Sequence, residues 1–268
     1  MLNRLSEASI DAILRKGVAH VLHRDYETRS TIRLNAVGAY RYAADPHTEV
    51  LCCGYTVDDQ PVQLWIPGDP VPPEFVEAAR NPDWIVVAHG DGFETAIEQH
   101  VLARLGWPLT PIERHRCTMA MSLSYGLPAR LSAAADALEL ANRKDKAGER
   151  LMHQTSKPRR PHKDETSDQV YWFDDSERLD RLYSYCKRDV EVERELYERL
   201  ALLSPSEQSI WQLSNVINAR GFRVDRAFAE AARKIAQAAA PEIDRELVEI
   251  TGGAVTKISQ VARLLAWL

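Results

Sequence analysis

Four short apolar runs fall in the first third of this chain, and none recurs after residue 205. They are AHVLHRDYE (19–27), VLCCGYTVDD (50–59), PVQLWIP (61–67) and WIVVAH (84–89). Each has strand length and is bounded by turn residues or prolines, and the second and third are joined by a tight turn at Asp58-Asp59-Gln60. Between and beyond them the pattern is helical. Pro70, Pro72 and Pro73 open a short helix to about Arg80, residues 93–105 form another, and Ser132 caps a third to about Leu140. Residues 176–203 make one long helix that Pro205 breaks. Residues 206–268 are Ala-rich and helical with one interruption, 221–225. Strands interleaved with helices, then helices alone, predict an α/β domain followed by a helical segment. The expected divisions are an N-terminal helical extension (1–18), the α/β domain (19–204) and the helical segment (205–268). The extension is amphipathic, with Leu5, Ile10, Ile13 and Leu14 on one face. Residues 142–175, with KPRRPHKDET at their centre, read as a long polar loop.

A chain of 268 residues, 45% hydrophobic and 27% charged, has room for one large domain, or for one domain plus part of another. No apolar run approaches the roughly 18 residues of a membrane span. The N-terminus carries Glu7 and Asp11 and lacks the unbroken apolar core of a signal peptide. Cys52, Cys53, Cys117 and Cys186 form no CxxC and no zinc spacing, which points to free thiols in a reducing cytoplasm. A net charge of -5 is not the footprint of a protein that coats nucleic acid. An enzyme that grips one strand end through metal ions has no need of an overall basic surface.

Asp25-x-Glu27 ends the first strand, and Tyr185-x3-Asp189 lies on the long helix. Period 2 on a strand and i to i+4 on a helix each put both members on one face. A carboxylate directly after an apolar strand is costly unless a cation or hydrogen bonds compensate it. Hard divalent cations take oxygen ligands, and two of them together activate water and stabilise a leaving oxygen. Three carboxylates and a phenol at one point therefore suit phosphodiester cleavage. Asp189-x-Glu191 is the poorer metal pair, because i and i+2 diverge on a helix. In VVAHGDGFETAIE a strand turns into a helix. Glu94 projects near the strand end, within reach of a second metal, and Asp91 in the turn competes for that role. Tyr185, with a phenol pKa of about 10, suits orienting a water better than deprotonating it. His89 reads as a hydrogen-bonded structural residue. Arg143, Lys144, Lys146, Lys157, Arg159, Arg160 and Lys163 supply charge for a phosphate backbone. Tyr171, Trp172 and Phe173 either stack on bases or pin the loop.

DYETRS, VGAYRYAADPHTEVLCCGY, VVAHGDGFE, CTMAMSLSYGLPARL, KDKAGERLM, SKPRR and YCKRDVEVERELYERL together span much of the chain. They resemble the 3′–5′ proofreading exonuclease domain of DNA polymerase I-like (family A) polymerases, phage-type and bacterial subgroup, over residues 19–225. The resemblance implies a ribonuclease H-like mixed sheet flanked by helices. It implies the tyrosine variant of the DEDD exonucleases, since position 184 is Ser. It makes Asp25, Glu27, Glu94 and Asp189 ligands of two Mg²⁺ or Mn²⁺ ions, Asp25 bridging both, and gives Tyr185 the positioning of the nucleophile. Gly90 stands where the family usually has Asn, and Glu94 where it usually has Asp. The implied activity is metal-dependent release of nucleoside 5′-monophosphates from a single-stranded DNA 3′ end. The alternatives are a catalytically weakened DNA-end-binding module and an exoribonuclease on short RNA. EQSIWQLSNVINARGFRVDRAFAE resembles the family's junction into the polymerase thumb. This implies a fragment of a polymerase, or a stand-alone relative whose C-terminal helices meet a polymerase domain or self-associate, in a bacterial or phage-host cytoplasm.

Overall fold

The computed structural model describes residues 20–141, 146–166 and 168–268. The expected N-terminal extension, Arg143, Lys144 and the side chain of Lys146 lie outside the described residues. The first run forms β1 (His20–Arg29), which pairs antiparallel with β2 (Glu49–Val57). A turn at Asp58, whose φ is 50°, returns the chain to β3 (Gln63–Trp65). On the other side β4 (Trp84–Ala88) runs parallel to β1, and β5 (His115–Cys117) parallel to β4. The order β3-β2-β1-β4-β5 makes a mixed five-stranded sheet with β1 at its centre. With helices on both faces, this is the ribonuclease H-like arrangement that the motifs implied.

Alternation along the strands divides the core in two. Leu22, Tyr26 and Val86 point to one face and pack with Phe75, Ile97, Leu102 and Trp107. That layer comes from α1 (Leu34–Val37), α2 (Ala39–Ala44), α3 (Pro73–Arg80) and α4 (Gly92–His100), the last continuing as a 3₁₀ turn, Leu102–Leu105. Ile85 and Val87 point to the other face. There they meet α5 (Thr118–Ser124), α6 (Leu131–Ala137) and α8 (Ser176–Arg199) through Met121, Leu131, Val192 and Leu196. Asp175 caps α8 by accepting from the Arg178 N–H at 3.2 Å.

Several boundaries differ from expectation. The polar stretch 142–175 is not a continuous loop: it contains α7 (Lys146–Thr155), whose Leu151 packs on Leu182 and Tyr185 of α8. Arg130, not Ser132, precedes α6. Pro205 opens α9 (Pro205–Arg220), the first helical turn being where a missing N–H costs nothing. After α10 (Arg226–Ile250) a second break, with Gly252 and Gly253 at positive φ, precedes α11 (Val261–Trp267). Compact units divide between Ala219 and Arg220. Nearly all of α9 goes with the sheet, held by Gln208 Nε2 donating to the His115 carbonyl (3.0 Å) and Tyr40 Oη to the Asn215 carbonyl (3.3 Å). Within the second unit, the Thr251 hydroxyl accepts from the Val255 N–H at 3.1 Å and closes the turn after α10. Among the described residues no helix is long and apolar enough to cross a membrane.

On the α4 side of β1, between Leu22 and Tyr26, stands Arg24, 1% exposed. Its Nε donates to Glu98 Oε1 at 2.5 Å, and its Nη1 lies 2.9 Å from Asp91 Oδ1. The Tyr26 hydroxyl donates to the same Glu98 oxygen at 2.9 Å. His115 Nδ1 is 2.9 Å from Asp91 Oδ2, and the Thr95 hydroxyl donates to that oxygen at 3.1 Å. One guanidinium thus ties β1 to the turn before α4, to α4 itself and to β5. Removing one partner of a buried ion pair costs about 3–5 kcal/mol, since the other charge stays unmatched. Arg24→Ala leaves two buried carboxylates in that state, and urea unfolding should report a loss of about that size.

Candidate active site

The opposite face of β1 carries His23, Asp25 and Glu27, and it meets α8. His23 Nδ1 is 2.6 Å from Glu193 Oε2, and its ring stands edge-on to Tyr197 at 5.2 Å. Asp25 is in register with Gly54 of β2. The Gly54 N–H donates to Cys186 Sγ at 3.2 Å, and Cys186 Sγ lies 3.5 Å from the Asp25 carbonyl oxygen and 3.6 Å from Asp25 Oδ2. A Cβ on Gly54 would sit 3.1 Å from the Cys186 carbonyl oxygen, from Cys186 Sγ and from Val190 Cγ2. Absence of a side chain at this one position lets α8 lie directly on the strand pair. That contact brings Tyr185 and Asp189 to Asp25 and Glu27.

A β-bulge sharpens the fit. Register passes from Glu27↔Cys52 to Thr28↔Val50, leaving Leu51 as the extra residue. Leu51 packs with Leu151, Leu182 and Tyr185. Tyr185 is thereby wedged among apolar groups with 2% of its surface exposed. Burial first, then the charges of Asp189 and Glu27 and a hydrogen bond with Asp189, push its phenol far above the ordinary range. The hydroxyl therefore stays protonated at any neutral pH and acts as a donor.

Glu94, in the first turn of α4, is 3% exposed, and its Oε2 has no hydrogen-bond partner among the described residues. Burial, followed by repulsion from Asp25, holds its carboxyl well above the usual carboxylate range. Asp91 differs. Against the burial that would raise it, His115 and Arg24 hold Asp91 below its ordinary value. Asp91 is spent on the ion network, whereas Glu94 feels the charge of Asp25 and keeps a buried oxygen uncompensated, the situation a cation relieves.

Asp25, Glu27 and Cys186 each offer a ligand atom, all within 4.8 Å of one another. The Cys186 thiol is the member that sequence reasoning missed, although it directly follows Tyr185. A hydrogen bond with Cys52, then burial, then the Cys52, Asp25 and Glu27 charges hold it well above the ordinary thiol range. Its Sγ lies against Asp25, and a hard divalent cation takes the carboxylate oxygens of the group in preference to a thiol. His89 hydrogen-bonds through Nδ1 to Thr118 Oγ1 (3.1 Å) and through Nε2 to the Ala129 carbonyl (2.8 Å), a structural residue as read from the sequence. Gly90 sits at φ +94°, a conformation glycine enters freely.

Arg159, expected at the phosphate backbone, is occupied within its own segment. Its Nη1 and Nη2 donate to Glu165 at 2.6 and 2.5 Å, and its Nε donates to the Trp172 carbonyl at 3.1 Å. Arg159 also stacks on Tyr171 at 4.9 Å, Arg29 on Trp172 at 4.8 Å and Arg178 on Phe173 at 5.3 Å. These contacts pin the segment after α7 to the domain. Lys157 and Arg160 are exposed.

A mixed sheet thus carries an acidic cluster under a tyrosine-bearing helix, with the oxygen donors that a hard divalent cation takes. No family model matches the chain. The chain is 36% identical over 208 residues, 75% of its length, to a DNA polymerase of Bacillus phage SP02, and spans 31% of that relative. It is also similar at a distance (TM-score 0.44, 11% identity, 81% of this chain and 48% of the other) to Escherichia coli RNase D, an exoribonuclease involved in structured RNA processing. With the fold and the acidic cluster, the polymerase relationship supports a 3′–5′ exonuclease domain.

Glu94 carries a stability consequence. Its carboxyl binds its proton more tightly folded than unfolded. Metal-free stability is therefore present below pH about 4 and lost as pH rises through the raised folded value. Glu94→Gln escapes that loss. Its metal-free melting temperature at neutral pH should exceed that of the parent by on the order of a few degrees, the gap closing at acid pH. Added Mn²⁺ should raise the parent's melting temperature more than the variant's.

Proposed function

We propose that this protein is a metal-dependent 3′–5′ exonuclease acting on single-stranded DNA ends, as the proofreading part of a family A polymerase or as a stand-alone relative. The observation that carries this reading is the convergence of Asp25 and Glu27 at Cys186, beside Tyr185 on the same helix, with Glu94 close enough to feel the charge of Asp25. Asp25, Glu27, Glu94 and Asp189 would hold two divalent cations, which supply an activated water and charge stabilisation at the departing 3′ oxygen. Tyr185, locked in its protonated form, donates a hydrogen bond that aligns the water for in-line attack and does not remove its proton. Asp189, one helical turn on from Tyr185, sets its charge against that phenol and helps keep it protonated. The apolar wedge of Leu51, Leu151 and Leu182 holds the ring still. Arg24 and Asp91 set the height of β1 against α4, and so the separation of Asp25 from Glu94. Cleavage at the last phosphodiester releases a nucleoside 5′-monophosphate.

A 5′-labelled strand incubated with Mg²⁺, Mn²⁺ or EDTA tests this. A ladder shortening from the 3′ end with metal alone is expected, and an all-ribose strand beside it decides the sugar. Asp25→Ala and Asp189→Ala should each lower the rate by at least about 10³-fold, and Tyr185→Phe by about 10²-fold, with the fold intact by circular dichroism. More than about a tenth of the rate surviving in either alanine variant would sink the assignment.

A further inference from the structure

A polyanionic strand must approach a site ringed by carboxylates on an acidic protein, so cations close to that site carry information. Beside α8 an open recess of about 430 Å³ is lined by Arg181, Ser184, Tyr185 and Arg188. Positions 181, 185 and 188 are i, i+4 and i+7, one stripe of the helix. Tyr185 lies at the recess wall, with an arginine one turn before it and another one turn after it. Seven residues of helix separate the two arginines by about 10 Å along the axis. Both side chains are exposed, while Tyr185 between them is buried.

Other arginines around this face have carboxylate partners. Arg29 pairs with Glu49 at 2.7 Å and with Asp174 at 3.3 Å, Arg159 with Glu165, and Arg178 with Asp175. Arg181 has no carboxylate partner among the described residues. Arg188 meets Glu191 at 3.1 Å in an exposed i,i+3 pair of the same kind as that of Arg178, and solvent screens both. Guanidinium forks match phosphate oxygens two at a time, and contacts of this kind fix position without reading sequence.

We propose that Arg181 and Arg188 grip the phosphates of the substrate strand on either side of Tyr185 and so set the strand's register at the cleavage point. The inference rests on the nucleic-acid reading of this site, but it is tested by binding, apart from cleavage. The probe is a short 5′-fluorescein oligodeoxythymidylate. Its affinity is read by anisotropy in Ca²⁺ over a range of salt concentrations, for the full chain and for Arg181→Gln, Arg188→Gln and the double variant. Both residues are exposed, so folding should not be at stake, and Arg233→Gln in α10 serves as a charge-matched control. The double variant should bind roughly tenfold more weakly. Its plot of log affinity against log salt should be shallower by about 0.7 for each arginine removed. Steady-state kinetics should show KM rising by a similar factor while kcat changes little. An unchanged slope and affinity in the double variant, an equal change in the Arg233→Gln control, or no binding by the parent would overturn the inference. Binding that depends on both arginines in a chain that cleaves nothing would uphold it and overturn the exonuclease reading.

Discussion

The architecture rests on one guanidinium buried in the middle of the central strand. Arg24 would be costly there alone. It is tolerated because Asp91 and Glu98 arrive from the turn and helix that follow β4, and because Tyr26, Thr95 and His115 saturate those carboxylates in turn. The network cross-links three consecutive parts of the fold beneath the site. It also frees the other face of β1 to present carboxylates of its own. Asp91 and Glu94 are three residues apart and both buried, but Arg24 neutralises the first and leaves the second exposed to the charge of Asp25.

The active face is organised by what is missing as much as by what is present. Gly54 has no side chain, so α8 settles on the strand pair, and the bulge at Leu51 adds an apolar contact where Tyr185 needs one. Crowding carboxylates under a buried phenol works against the stability of the metal-free chain. A functional site concentrates such conflict, while the Arg24 network and the two apolar layers offset it.

Much of this was legible in the sequence, for reasons that differ by element. Asp25-x-Glu27 at the end of an apolar run and Tyr185-x3-Asp189 on an uninterrupted helix are local patterns, and local geometry alone decides which face they share. Four of the five strands followed from runs of strand length, the mixed sheet was implied by the family resemblance, and β5, only three residues long, left no run to read. The Arg24 partners were not legible, because Asp91, Glu98 and His115 lie 67 to 91 residues away and nothing in their spacing marks them as one group. The choice between Asp91 and Glu94 depended on that same unseen network. Helix α7 was hidden by the polar composition around it, its packing resting on Leu151 and Met152. Arg159 looked like a free cation because its neutraliser, Glu165, sits across the turn Arg160-Pro161-His162-Lys163-Asp164.

The strict alternation of β1 has an evolutionary corollary. Its odd positions supply the carboxylates and its even positions the arginine and tyrosine of the ion network. Deleting or inserting a single residue between His23 and Glu27 would exchange the two sets wholesale. Arg24 would swing toward the acidic cluster, and the carboxylates would turn into the aromatic layer. Such a strand can drift in composition from one descendant to another, but its length is frozen. Indels in this lineage should accumulate instead in the segments between elements, where no pleat counts residues.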